Sequence, residues 1–315
     1  MYRLDIHADD YALTLHTSQD MLECMKAGKL DSISIVPNMT CFQECMELLH
    51  EAIPALPFLP VMSVHMDFVE GKCLAGAGEV PLLAKAGSDY IGLSWGGLFK
   101  LSYLPWKRAT AKAQLKKEIK AQITAVQKEV DYCIELARKN NIPCAQKGLR
   151  IDSHQHAHMI PVVWEAMTEV IEEEKYEVEY IRNSKEVLGA FVSEVSLWTT
   201  YRPINFVKNR LLSLYSHKAD RYAKAHSMEQ MYLWGLIMSG HMDYDRIDKL
   251  FPKVAAKAKK DGRVLEILFH PGITLPEEVT AEIGEEAAKD FYLLPDRHVE
   301  KEAVMELDFS SEETI

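Results

Sequence analysis

The sequence predicts an α/β fold, with a closed or nearly closed β/α barrel as the preferred architecture and a doubly wound open sheet as the alternative. Three observations carry this. Strand-like and helix-like segments alternate along the chain, which argues for parallel strands joined by crossover helices. The length of 315 residues suits one such barrel. With 48% hydrophobic and 26% charged residues, the composition is that of a globular chain able to bury a sizeable core.

The elements follow in order. Tyr2–His7 reads as a short strand that runs out at Asp9-Asp10. Gln19–Ala27 reads as a helix with Thr17 or Ser18 as its cap. Ser32–Val36 is a β-rich run closed by Pro37-Asn38, and Phe42–Ala52 is helical. Val61–His65 is apolar and strand-like. Residues 110–139 place Leu115, Ile119, Ile123, Val126, Val130, Ile134 and Ala137 at spacings of three and four, the signature of a long amphipathic helix. Leu149–Asp152 is a strand, Val162–Glu173 a helix, and Val178–Ile181 and Val264–Phe269 are further strands. Residues 74–108 and 186–232 break the alternation. They read as insertions after strands, where barrels carry substrate loops, within one domain spanning 1–315. Trp95, Trp106 and Trp198 fall there and could stack on a sugar ring, although packing is the favoured reading.

The net charge is −11, and no basic patch of the kind that binds nucleic acid stands out. The basic stretch Lys112–Lys120 reads as the solvated face of its helix. No apolar run approaches the length of a membrane span, and the charged start lacks the apolar core of a signal peptide. Cytoplasm is the expected location. The six cysteines form no CxxC pair, and Cys41 and Cys45 read as small buried hydrophobes.

Four clusters stand at the C-terminal ends of predicted strands: His7/Asp9/Asp10, His65/Asp67, Asp152/His154/His156/His158, and Glu266/His270. Parallel α/β folds build their sites on that edge, so the clusters are expected to converge. If the strand ending at Asp152 continues, alternation puts His154, His156 and His158 on one side. Three histidines in five residues are hard to explain as core packing. The adjacent carboxylates can divide two tasks, one ligating a metal and the other taking a proton from a water the metal acidifies. Mixed Asp/His ligation without thiolate fits zinc, manganese, iron, cobalt, nickel or magnesium, and histidine ligands favour a transition metal. His270, at a strand end before Pro271-Gly272, could protonate a leaving group. Arg182 could hold an anionic group, orient Asp9 or form a plain salt bridge.

In this pattern the chain resembles the YdjC-like family of carbohydrate deacetylases, which includes chitooligosaccharide deacetylases. The matching pieces are His7-Ala8-Asp9-Asp10, Ser63-Val64-His65 with Glu70-Gly71, Asp152-Ser153-His154-Gln155-His156-Ala157-His158, and Leu265-Glu266 through His270-Pro271-Gly272. They occur in the family's order. The resemblance implies a distorted (β/α) barrel and one divalent metal, usually magnesium, on Asp10, His65 and His154. It implies Asp9 as catalytic base, His270 as acid, and an N-acetylated sugar or oligosaccharide as substrate. Asp152, His156, His158, Arg182 and Glu266 are then supporting or substrate-facing residues. The sequence itself leaves the oligomeric state open, with a homodimer as one option. His7 replaces the family's usual Asn, Ala12 a glycine, and Asp67 an uncharged residue. The competing readings are another metal-dependent hydrolase, such as a phosphoesterase or amidohydrolase, and a non-catalytic sugar-binding relative.

Overall fold

The computed structural model describes residues 2–283, 291–294, 297–309, 312 and 314–315. Seven parallel strands form one sheet: β1 (Leu4–Tyr11), β2 (Ser32–Ile35), β3 (Val61–Met66), β4 (Leu149–Ser153), β5 (Val178–Ile181), β6 (Met231–Trp234) and β7 (Val264–Phe269), in the order β5-β4-β3-β2-β1-β7-β6. The sheet curls into a half-barrel surrounded by helices, an α/β barrel-like fold. Just past β5, Glu186 pairs in parallel with Leu233 of β6. The Leu233 amide donates to the Lys185 carbonyl at 3.0 Å, so the two edges nearly meet.

The helices are α1 (Leu15–Lys26), α2 (Phe42–Ala52), α3 (Trp95–Leu101), α4 (Pro105–Lys139), α5 (Pro161–Glu174), α6 (Leu188–Ser193), α7 (Pro203–Ala225), α8 (Tyr244–Asp261) and α9 (His298–Glu306). Thr14 caps α1, its hydroxyl accepting from the Thr17 amide. The helix therefore starts four residues before the expected Gln19, and Thr17 and Ser18 lie inside its first turn. Pro105, whose missing N–H is harmless at a helix start, opens α4. The apolar stripe of α4 faces the core. Its lysines at 112, 116 and 120 pair with Glu169, Glu173 and Glu174 of α5, as a solvated face should.

The stretch 186–232 is not wholly an insertion, because β6 begins at Met231 inside it. That four-residue strand is fully buried between β7 and the bridge to Glu186. Among the loop tryptophans, Trp95 stacks on Phe99 at 5.6 Å, which fits packing. Trp106 and Trp198 are instead 75% and 54% exposed.

Except for the all-apolar β6, the strands each contribute at least one polar residue to a buried face inside the barrel. Asp5, His7 and Asp9 of β1, Ser32 and Ser34 of β2, Ser63 and His65 of β3, Arg150 and Asp152 of β4, Tyr180 of β5 and Glu266 of β7 are all buried. Parallel strands covered on both faces usually read as continuous apolar runs. Here the period of two survives because one buried face is a polar network. Ser32 reaches Asp5, Arg150 reaches Asp5 at 3.0 Å, and Tyr180 reaches Glu266. No helix among the described residues is long and apolar enough to cross a membrane.

Candidate metal centre

The site begins with an irregularity in β1. The Asp9-Asp10 pair lies inside the strand, not after it. Pleating would send adjacent carboxylates to opposite faces. Between Ala8 and Tyr11 the register with β2 shifts, and Asp10 takes a φ of 73°. Both carboxylates therefore serve the C-terminal end of the barrel. Ala12 follows with a φ of 67°. Each left-handed non-glycine residue costs about 1–3 kcal/mol, a strain that typically collects at functional sites.

Asp10 meets two imidazoles. His65 Nε2 lies 3.4 Å and His154 Nδ1 3.0 Å from Asp10 Oδ1. One donor atom from each of the three residues lies within 4.8 Å of the others. His65 comes from β3, where its register partner in β4 is Asp152. The Asp152 carboxylate accepts a hydrogen bond from His65 Nδ1–H at 2.7 Å, which leaves Nε2 to face Asp10.

The histidine run does not continue as a strand. β4 stops at Ser153, and a 3₁₀ turn follows in which Gln155 and His156 have φ of 51° and 56°. His154, His156 and His158 consequently part company, against the expectation from alternation. His154 turns to Asp10. His156 meets the Ser184 hydroxyl at 3.0 Å. His158 donates Nε2–H to the Arg182 carbonyl at 2.9 Å and accepts at Nδ1 from Ser153 at 2.6 Å. Burial lowers the His158 pKa to about 4, so it stays a neutral brace.

Arg182 settles the charge of the neighbouring groups. Its terminal nitrogens contact both oxygens of Asp9 at 2.8 Å, its Nε contacts Glu266 at 2.6 Å, and Nη2 lies 3.2 Å from Asp152. Burial pushes Asp9 up, but Arg182, with His65 and His7, outweighs it and holds the carboxyl well below its usual range. The fully buried guanidinium therefore orients Asp9 and is not free for a substrate anion.

Among the described residues three His/carboxylate clusters could hold a metal: Asp10/His65/His154, Asp5/His7/Glu266 and His7/Asp9/Asp152. Arg182 touches the last two, and Arg150 also touches Asp5. No arginine or lysine among the described residues pairs with the first. Its Asp10 Oδ2 and His65 Nε2 are buried without a hydrogen-bond partner. Orphaned buried donor atoms of the right type are what a metal would complete. The histidine–carboxylate pair His65–Asp152 is the support such ligands usually carry.

Without an ion, protons balance the cluster. Burial disfavours a charged His154, yet Asp10, then Asp67 and Glu70, outweigh it and raise its pKa to about 9. Likewise burial opposes, and Asp9 and Asp152 impose, a His65 pKa well above normal. Asp10 itself is held low by His154 and His65 against burial.

His270 follows β7. Its backbone N–H donates to Glu300 of α9 at 2.5 Å, and its Nδ1 lies 3.4 Å from the same oxygen. Phe291 presents an edge to its ring at 5.4 Å. Arg297 lies over Phe291 at 4.4 Å. Burial pushes the Glu300 pKa up, but His270, and after it Arg297, outweigh burial and hold it below the usual range.

A family model described as YdjC-like protein matches residues 3–132 and 149–311. The chain belongs to the YdjC-like family. That family falls in a carbohydrate deacetylase-like superfamily. A solved structure from Enterococcus faecalis, described as a candidate cellobiose-phosphate cleavage protein, matches with a TM-score of 0.56 at 19% identity. The match covers 98% of this chain and 92% of that one. At this identity the likeness is one of fold.

The positions where this YdjC-like chain departs from the family pattern now have surroundings. His7 bridges Ser32 and Ser34 at 2.5 and 2.6 Å and lies 3.1 Å from Asp9. Ala12 occupies the left-handed position that a glycine would adopt without strain. Asp67 caps the turn after β3, accepting from the amides of Val69 and Glu70 at 2.8 and 3.0 Å. Sequence reasoning missed Ser34, Tyr292 and Glu300, each in contact with a singled-out residue. Only Ser34 carried a signal, the polar alternation Ser32-Ile33-Ser34.

Proposed function

We propose that this YdjC-like chain is a metal-dependent hydrolase that removes N-acetyl groups from acetylated sugars or oligosaccharides, releasing acetate. One observation carries the reading. The Asp10/His65/His154 cluster is buried, oriented from behind and, among the described residues, paired with no arginine or lysine, whereas Arg182 neutralises the other two.

In this reading Asp10, His65 and His154 hold one divalent ion. Two imidazoles and a carboxylate suit zinc or another transition metal, while family habit is magnesium. When bound, such an ion supplies Lewis acidity toward an amide carbonyl and a water. Asp9 takes the water's proton. Arg182 keeps it ionised and fixed, so it acts as a weak base whose partner must be made acidic. His270, anchored by Glu300, donates a proton to the departing sugar amine. Asp152 orients His65, while Glu266 holds Arg182. The burial of these groups excludes bulk water. A phosphoesterase would need a free basic side chain, and the engagement of Arg182 with three carboxylates argues against it.

Acetate release from N-acetylglucosamine oligomers tests this reading. Metal-loaded protein should release acetate, chelator should stop it, and added metal should restore it. Release that persists in chelator, or none from any acetylated sugar, would overturn it.

A further inference from the structure

His154 has two ring nitrogens, and only one can offer a lone pair to a metal while the other carries a proton. Nδ1 faces Asp10 at 3.0 Å, and Nε2 faces the Tyr292 hydroxyl at 2.8 Å. That hydroxyl has a single proton and a second neighbour, Glu70 Oε2, at 3.0 Å. Burial raises the Glu70 pKa to about 7, so above that pH its carboxylate oxygen only accepts, and Tyr292 donates to Glu70 and accepts from His154 Nε2–H. The lone pair is thereby assigned to Nδ1, on the Asp10 side.

The relay is rigid. Tyr292 is 2% exposed, and its ring lies 26° from parallel to that of His154. The Glu70 amide is bound by Asp67 and its carbonyl by Asn38 Nδ2 at 2.8 Å. Gly71 follows with a φ of 72°, and a Cβ there would stand 2.5 Å from Asn38 Nδ2. The backbone behind Glu70 is thus locked where only glycine fits. The two histidines then share one design. Asp152 holds the far nitrogen of His65 directly, and Glu70 holds that of His154 through a tyrosine.

We propose that Tyr292, backed by Glu70, is a positioning residue that fixes His154 in the tautomer whose Nδ1 faces the metal position. The inference rests on the metal reading above. No motif points to it, since Tyr292 and His154 lie 138 residues apart.

The test is Zn²⁺ titration of the full chain by calorimetry, with ¹⁵N-histidine spectra of the Zn²⁺-loaded protein. In the wild type, His154 should be metallated at Nδ1 and protonated at Nε2. Tyr292→Phe should weaken Zn²⁺ binding on the order of 10- to 100-fold and erase the protected Nε2–H signal. Glu70→Ala should act in the same direction, because the freed hydroxyl can then donate to Nε2. A merely structural role would lower the melting temperature without moving the tautomer signal. Metallation at Nε2 in the wild type, or equal affinity and an unchanged spectrum in Tyr292→Phe, would overturn the inference alone. A wild type that binds no Zn²⁺ would overturn the metal reading and this inference with it.

Discussion

Arg182 closes on Asp9 with two parallel contacts of 2.8 Å, whereas no arginine or lysine among the described residues pairs with the next residue, Asp10. A bidentate guanidinium is a strong, directional neutraliser of a carboxylate. The adjacent pair is thus split. Asp9 is satisfied by the protein, and Asp10, swung round by the irregularity in β1, is left facing two imidazoles.

Arg182→Ala should destabilise the fold by about 3–5 kcal/mol, because it strands the buried charges of Asp9, Asp152 and Glu266. Arg182→Lys should recover only part of this, since an ammonium cannot grip both oxygens of Asp9 in the plane. Denaturant titration checks both. A loss under about 1 kcal/mol in Arg182→Ala would contradict a neutralising role.

Metal affinity should rise with pH. His65 and His154 are raised in the metal-free protein, His154 to about 9, so an entering ion must displace protons. Below that pH, affinity should fall about tenfold per unit for each proton displaced. Calorimetry in buffers of different ionisation heat counts the released protons. Asp9, depressed by Arg182 against its burial, stays ionised across this range. The acidic limb of activity should therefore follow metal loss and not protonation of Asp9.

His270→Ala should lower kcat by roughly 10²- to 10⁴-fold while leaving metal affinity unchanged. Parallel measurement of both quantities separates a proton donor from a ligand. A matching fall in affinity would move His270 into the metal's ligand set.

Glu186→Ala tests how the barrel closes. Its carboxylate accepts the amides of Gly235, Leu236 and Ile237 at 2.9 to 3.0 Å and the Asn209 side chain at 3.0 Å. Each buried donor left unpaired costs about 1–3 kcal/mol, so a loss of about 3 kcal/mol or more is expected by thermal or urea unfolding. Specific activity of the folded fraction should hold.

Much of this was readable from strand ends. Asp10, His65, His154 and His270 each stand at or just past the C-terminal end of a β run, and parallel strands bring such ends to one edge. Asp10, His65 and His154 converge for that reason. The histidine run misled because alternation holds only while a strand lasts, and two left-handed residues end β4. β6 was hidden because Met231–Trp234 is short and all apolar, so its period is invisible. Tyr292 and Glu300 were out of reach, since their partners are set by tertiary packing across the barrel mouth. The polar interior was legible in principle, as Asp5-Ile6-His7-Ala8-Asp9 shows.

Metal content of the purified chain and its ligand variants tests the central claim most directly. After equilibration with one divalent metal and dialysis, elemental analysis should find about one ion per wild-type chain and almost none in Asp10→Asn, His65→Ala or His154→Ala, with the fold intact by circular dichroism. Retention of the ion by folded Asp10→Asn and His154→Ala would contradict the account and place the metal elsewhere.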